Sequence, residues 1–371
     1  MQTHHTSTVK DDTDPHADPK WFSRQLLKWY DRNGRKDLPW QHNPAPYRVW
    51  VSEIMLQQTQ VSTVIPYYLR FMERFPALAT LADASVDDVL QYWSGLGYYA
   101  RGRNLHKTAQ LIDEHFDGIF PDNIDVLQSL PGIGRSTAGA ILAIAYKQHH
   151  AILDGNVKRV LTRFHAVDGW PGTPAIERTL WTHAERYTPQ RNVAHYTQAI
   201  MDLGATLCTR ANPGCDVCPL AAACAARQQH RVQDFPASKP RKTLPVRQTK
   251  MLVLVNSNGE VLLEKRPPAG IWGGLWSLPE CPDEEEIDSW SKQHLHNDIK
   301  VIAHWPLLRH TFSHFHLDIT PIHGRVTVSQ PTIMDGDHYV WYNPRDAKTR
   351  GMAAPIARLI SNLEDTGGKR S

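Results

Sequence analysis

Two carboxylates and four thiols are the side chains of this sequence best placed to do chemistry. Glu53 stands inside an apolar run, YRVWVSEIMLQQTQ. Apolar surroundings penalise the charged form of a carboxyl group, so Glu53 is expected to keep a proton at neutral pH and to be able to donate it. Asp154 stands in a different setting, at the head of the helical stretch ILDGNVKRVL. There it reads as an N-cap, and backbone N–H donors would lower its pKa and keep it ionised. Capping and chemistry are compatible at this position. A proton donor paired with a charged carboxylate is the acid-and-stabiliser arrangement of glycosidic bond cleavage.

The thiols follow the spacing C-x6-C-x2-C-x5-C, with Cys208, Cys215, Cys218 and Cys224 inside seventeen residues. Without an export signal, such a cluster reads as a metal or cluster site rather than a disulfide framework. The spacing leaves a cubane iron–sulfur cluster and a tetrahedral zinc ion both open. Between the two acids lies LPGIG, where Gly132 and Gly134 let backbone N–H groups converge on an anion at a helix start. Such a loop binds phosphate without reading sequence. The net charge is only +3, but basic residues gather at Arg101, Arg103, His106 and Lys107, at Lys147, Lys158, Arg159 and Arg163, and from Arg231 to Lys250. These patches read either as a footprint on a polyanion or as solvated helix faces.

Periodicity gives the elements that must position these groups. Residues 20–225 read as helices throughout, with no convincing strand. One helix covers about Tyr47 to Gln60 with Val51, Ile54, Met55 and Val61 inward; others run from Val86 to Trp93 and from about Ala100 to His115. The helix after Asp154 turns Val157, Val160, Leu161 and Phe164 inward, and further helices cover about 174–187 and 192–206. PASKPRKTLPVRQ then reads as a basic, proline-rich linker. Beyond it the period becomes two, and MLVLV, a turn at Asn258-Gly259 and VLLEK form a β-hairpin. Further strands are expected at 301–305, 307–319 and 338–342, with helices at 283–297 and 354–363. His310, His314 and His316 fall on one face of the strand expected at 307–319. The expected organisation is a disordered tail 1–18, a helical domain 19–230, a linker 231–249, an α+β domain 250–365 and a short tail 366–371. No apolar run reaches the roughly 18–20 residues of a membrane span. The N-terminus lacks the apolar stretch of a secretory signal.

With these motifs in place, the chain resembles the MutY-type adenine DNA glycosylases of the helix-hairpin-helix, iron–sulfur superfamily. The resemblance covers about residues 20–363 and rests on LPWQ, VWVSEIMLQQTQVSTVIPYY, GLGYYARGRNLHK, LPGIGRSTAGAI, ILDGNVKRVL, MDLGATLCTR, the four cysteines, RPPAGIWGGLWSLP and RHTFSHFHLDI. It implies a multidomain protein: an all-α helix-hairpin-helix glycosylase domain with an iron–sulfur loop, followed by an α+β Nudix-like domain. It implies an enzyme that flips out and removes adenine mispaired with 8-oxoguanine or guanine in double-stranded DNA.

By the same resemblance, Glu53 matches the proton donor to adenine, which later activates water. Asp154 matches the carboxylate that stabilises the oxocarbenium ion, and Asn156 a polar partner near the sugar. Gln58 and Tyr98 match residues that wedge into the base stack, and Gly132 and Gly134 the phosphate contacts. Trp40, Gln41, Ser136 and Gln198 are carried over as further substrate or DNA contacts, with Gln41 standing where some relatives have arginine. The four cysteines match ligands of a structural [4Fe–4S] cluster. Phe312-Ser313-His314 matches a loop that recognises 8-oxoguanine. A Nudix hydrolase needs a helix of the form R-E-x-x-E-E; ECPDEEEIDSWSK lacks its arginine and spacing, so this domain is expected to bind rather than hydrolyse. A sister family with endonuclease III-type lyase chemistry carries a lysine where Ser136 stands, so base excision without strand cleavage is expected. The implied setting is a monomer at the nucleoid in a bacterial cytoplasm. The rivals are an endonuclease III-like enzyme and a Nudix-type nucleotide hydrolase.

Overall fold

The computed structural model describes residues 18–240, 243–326, 338–345 and 350–367. The chain forms two compact units, Met1–Gln58 with Glu114–Pro240, and Thr59–Asp113 with Arg241–Ser371. Tail residues 1–17, Arg241 and Lys242 of the linker, and residues 368–371 lie outside the described residues.

The first unit is helical. It contains α1 (Pro19–Asn33), α2 (Pro46–Leu56), α7 (Ile124–Ser129), α8 (Arg135–Ala145), α9 (Gly155–His165), α10 (Pro174–Tyr187), α11 (Val193–Asp202) and the short α12 (Ala225–Gln228). Asp18 caps α1 by accepting the Lys20 N–H at 3.0 Å. Phe22, Leu26, Val157, Val160, Leu161, Phe164, Leu180 and Tyr187 form one core, so the inward face expected for the helix after Asp154 is the face the structure buries. A π-helical turn, Leu203–Leu207, follows α11, so the helix expected at 192–206 ends earlier in regular α form. The helix expected to reach Gln60 also stops early, at Leu56. Gln58 takes a φ of 58°, a left-handed conformation that no α-helix continues through. Val61 therefore starts the next helix and is not part of the core face of α2.

The second unit joins helices to a sheet. Its helices are α3 (Val61–Arg74), α4 (Leu78–Ala82), α5 (Val86–Trp93), α6 (Ala100–Phe116), α13 (Ile287–His294) and α14 (Ala354–Gly367). Thr366 and Gly367, expected to belong to a tail, continue α14. Among the described residues its strands are β1 (Val246–Val255), β2 (Val261–Lys265), β3 (Trp276–Ser277), β4 (Glu280–Cys281), β5 (Ile299–His304), β6 (Leu308–Thr311), β7 (His316–Val326) and β8 (Tyr339–Tyr342). β1 and β2 make the expected hairpin, with Val255 opposite Val261. β1 begins before the expected boundary and runs parallel to β7 from Val246↔His316 to Val255↔Arg325.

Two expectations about these strands are corrected. Met251, Leu252, Val253 and Leu254 are all buried, so β1 does not alternate. Its continuous apolar run suits a strand covered on both faces. The single strand expected at 307–319 is instead a hairpin, with Thr311 opposite His316 and the chain turning through Phe312–Phe315. His314 sits in that turn, so the three histidines do not share one strand face.

One close approach sets the geometry of the first unit. A Cβ added at Gly139 on α8 would stand 2.4 Å from the carbonyl oxygen of Ala151. Glycine there lets the segment leading to Asp154 run directly along α8. Gly139→Ala should cost about 2 kcal/mol of stability, read as a lower urea midpoint at unchanged m-value. An unchanged midpoint would show that the two backbones are free to separate.

Candidate active site

Asp154 is placed from two sides. Behind it, the Leu153 N–H donates to Ser136 Oγ on α8 at 3.0 Å, and Gly139 admits the Ala151 carbonyl. Ahead of it, Asp154 is the N-cap of α9 and accepts the Val157 N–H at 2.8 Å. Asn156 Nδ2 donates to its other oxygen at 3.0 Å. Arg159 Nη2 then donates to Asn156 Oδ1 at 2.9 Å and to the Gly204 carbonyl at 2.6 Å. Gly204 is needed in that place, because an added Cβ would meet Asn156 Cβ at 2.6 Å.

The electrostatics follow from burial. Glu53 lies on α2, which packs against α8. Gln57, one turn further along α2, donates from Nε2 to Thr137 Oγ1 at 3.4 Å. Glu53 keeps part of its surface open. Burial, reinforced by the neighbouring charge of Asp154, nevertheless pushes its pKa up to about 8. The expected proton donor is thus present at neutral pH. The expectation for Asp154 is corrected. Its donors are all there and Arg159 adds a positive charge, but burial outweighs them and the pKa moves upward. The backbone donors do not offset burial here, even with Asn156 and Arg159 beside them.

The four cysteines line one pocket of about 430 Å³, open to solvent, together with Val160, Arg163, Phe164 and Leu220 among others. None of the four is in a disulfide. Burial and mutual repulsion of thiolates push Cys218 up to about 12, and push Cys215 and Cys224 upward. Three thiols opposed to ionisation by burial and by neighbouring sulfur suit a cationic group set among them. Among the described residues, no three His, Cys, Asp or Glu side chains close around a single ion.

Arg159 and Arg163 are the residues beside the site that sequence reading misplaced. They were assigned to a basic surface patch. Instead Arg163 is 2% exposed and donates to the carbonyls of Thr209, Arg210 and Phe235 and, at 3.4 Å, to Cys208 Sγ. Arg159 Nε donates to the Cys208 carbonyl at 2.7 Å. Hydrogen bonds therefore run without a break from Asp154 through Asn156 and Arg159 to Cys208. The available signal was spacing: residues 159 and 163 stand beside the inward residues Val160 and Phe164. Lys158 in the same stretch is paired with Glu177 at 2.6 Å. The patch at 101–107 is also turned inward. Arg101 donates to the carbonyls of Leu96 and Gly97, His106 is buried against the Ala84 carbonyl at 2.8 Å, and only Lys107 is fully exposed.

The remaining expected residues fall in several places. Gly132 has a φ of 80° and Gly134 caps α8, so the hairpin α7–Leu130–Gly134–α8 presents its backbone at a helix start. Trp40 is buried, and Gln41 Oε1 accepts the Leu38 N–H at 3.2 Å. Gln198 is buried and donates from Nε2 to Asp202 Oδ1 at 2.9 Å, where Arg35 also pairs. In the second unit, Tyr98 is 53% exposed with a φ of 48°. Ser313 and His314 are exposed beside Phe312, which stacks on Phe315 at 4.6 Å.

A helical hairpin, a capped aspartate and a protonated glutamate in one all-α unit define a base-excision glycosylase fold. A profile described as HhH-GPD superfamily base excision DNA repair protein matches residues 51–186, and a NUDIX domain profile matches residues 250–362. The adenine DNA glycosylase of Buchnera aphidicola subsp. Acyrthosiphon pisum (strain APS) is 40% identical over 343 residues, covering 92% of this chain and 97% of that protein. The Homo sapiens adenine DNA glycosylase is 34% identical, covering 80% of this chain and 65% of that one. A solved thermostable thymine-DNA glycosylase shares the fold with a TM-score of 0.54 at 24% identity, covering 59% of this chain and 100% of its own. The chain belongs to the adenine DNA glycosylase family. Among the described residues, no helix is long and apolar enough to cross a membrane.

Two outcomes follow. The folded state holds the Glu53 proton more tightly than the unfolded chain, so the stability this proton supplies is lost as pH rises from 4.5 to about 8. The urea midpoint of Glu53→Gln, relative to the parent, should therefore rise across that interval and level off above it. A pH-independent difference would mean that Glu53 ionises normally. Arg159→Gln should lower turnover by about ten- to a hundredfold with duplex affinity unchanged. An equal loss of binding would make Arg159 a DNA contact instead.

Proposed function

We propose that this enzyme excises adenine opposite 8-oxoguanine, or opposite guanine, from double-stranded DNA by hydrolysing the N-glycosidic bond. The observation that carries the reading is the pairing of Glu53, protonated at neutral pH, with Asp154, held by Val157, Asn156 and the Arg159 network. Glu53 gives its proton to a ring nitrogen of the flipped adenine, the C–N bond breaks, and adenine leaves with the bonding electrons. The positive charge left on the sugar faces Asp154. Water then adds to the sugar carbon and returns its proton to Glu53. Asn156 orients Asp154 in this scheme. Trp40, Gln41 and Gln198 border the adenine, Gln58 and Tyr98 enter the stack, and Gly132 and Gly134 hold phosphate through backbone N–H groups.

The reaction stops at base removal. Ser136 offers a hydroxyl engaged with the Leu153 N–H, and the Lys158 amine is committed to Glu177; both observations support hydrolysis over Schiff-base chemistry. Cys208, Cys215, Cys218 and Cys224 would hold a [4Fe–4S] cluster. When bound, that group supplies a structural tie across the loop, and Arg163 would donate to the sulfur of Cys208. The second domain reads the base opposite adenine through Phe312, Ser313 and His314. Residues Asp283–Glu286 precede α13 rather than lying along it, and Lys250 Nζ donates to the carbonyls of Asp283 and Glu285. That placement supports binding over Nudix-type hydrolysis.

The test is a duplex with one adenine opposite 8-oxoguanine. Free adenine should appear without strand cleavage or borohydride trapping, and Glu53→Gln should bind the duplex without turnover. Release confined to damaged pyrimidines, or a trapped covalent complex, would overturn the reading. Purified protein should carry iron and acid-labile sulfide with visible absorption; zinc without sulfide would refute the cluster.

A further inference from the structure

The loop Arg266–Leu275 between β2 and β3 has no part in the chemistry above, yet it is tightly built. The Arg266 N–H donates to the Leu275 carbonyl at 2.9 Å, and the Gly274 N–H to the Pro267 carbonyl at 3.0 Å. A Cβ at Gly273 would lie 2.5 Å from the Pro268 carbonyl oxygen. Next to it, Trp272 takes a φ of 51°. For a bulky side chain this left-handed conformation is unfavourable, and it persists only where the surroundings over-determine it.

Those surroundings join two groups of residues. Trp272 is only 8% exposed. Its ring lies 5.6 Å from His310 and 5.8 Å from Phe312, while His310 meets Phe312 edge-on at 4.6 Å. Directly after the indole, the Gly273 carbonyl accepts from Arg103 Nη1 on α6, and Gly274 lies against Arg103 and Leu90. The Arg103 N–H donates to the Tyr99 carbonyl at 3.1 Å, and the Arg101 N–H to the Tyr98 carbonyl at 2.8 Å. Contacts inside this one unit therefore run from Phe312 through Trp272, Gly273 and Arg103 to the turn that presents Tyr98.

We infer that Trp272 is a positioning residue that ties the Phe312-Ser313-His314 turn to the Tyr98 wedge, so that reading the base opposite adenine and entering the stack are coupled. This rests on the reading above, in which both groups touch DNA. The loop fixes the ring of Phe312 at one end and the start of α6 at the other. Loosening either end releases both.

The experiment compares single-turnover adenine release from A:8-oxoguanine and A:guanine duplexes, using the full chain. Trp272→Ala should lower the ratio of the two rates by about fivefold, chiefly through the 8-oxoguanine duplex. Trp272→Phe should restore most of it, and Arg103→Gln should give the same loss with the indole intact. The double variant Trp272→Ala with Arg103→Gln should lose no more than the larger single loss. Multiplying losses would overturn the coupling. So would an unchanged ratio in Arg103→Gln, which decides the matter should Trp272→Ala fail to fold. Phe312→Ala separates the two levels. If it leaves the ratio unchanged, the reading of the turn is wrong and the inference falls with it. If it lowers the ratio while Trp272→Ala does not, only the inference fails.

Discussion

A helix-capping carboxylate set where burial favours its neutral form is the constraint around which the helical unit is built. Further burial of Asp154 would push its pKa higher still, so its place beside Glu53 depends on the groups that donate to it. The fold resolves this with donors rather than with a direct ion pair. The Val157 N–H comes from the helix start, and the Asn156 amide is polarised from behind by Arg159. A guanidinium placed directly against Asp154 would bind it more strongly but would offset its negative charge. Passing Arg159 through the Asn156 amide orients Asp154 without such a direct pairing.

The same constraint accounts for the cysteine loop's position. Arg159 reaches Asn156 with one nitrogen while another donates to the Cys208 carbonyl. Arg163, one turn on, gathers the carbonyls of the same loop and of Phe235. A buried guanidinium such as that of Arg163 is costly unless its nitrogens are paired, and here backbone carbonyls pair each of them. The loop therefore acts as the fixed end of the network, and the order of its backbone bears on how well Arg159 is held. Gly204 completes the arrangement by letting the π-helical turn close on Asn156.

Much of this was legible in residue types. An acid in an apolar helix gave Glu53, a cap before a periodic stretch gave Asp154, and thiol spacing gave the four cysteines. The helical and α+β halves followed from the change of period near Phe235. What was not legible depended on partners distant in sequence. The pKa of Asp154 depends on how deeply the fold buries it, which a local motif does not encode. Arg159 and Arg163 looked like surface charge, because only the tertiary fold brings residues 204–210 and 232–235 against them. The break at Phe312–Phe315 was missed because alternation runs through a tight hairpin unchanged, so a turn of four residues leaves no gap in the pattern.

Contacts between segments distant in sequence were a further feature that periodicity did not encode. Residues 59–113 are helical like those on either side, but in three dimensions they form one compact unit with the sheet. The reason is specific packing. Ser94 and Tyr99 both donate to the Met352 carbonyl, Lys265 pairs with Asp87 at 2.7 Å, and a Cβ at Gly351 would stand 3.2 Å from the Leu90 backbone. Each contact joins α5 or the turn after it to a strand end or loop of the sheet domain. The exposed Tyr98 thus belongs to the same compact unit as the Phe312 turn, whereas Glu53 and Asp154 belong to the other.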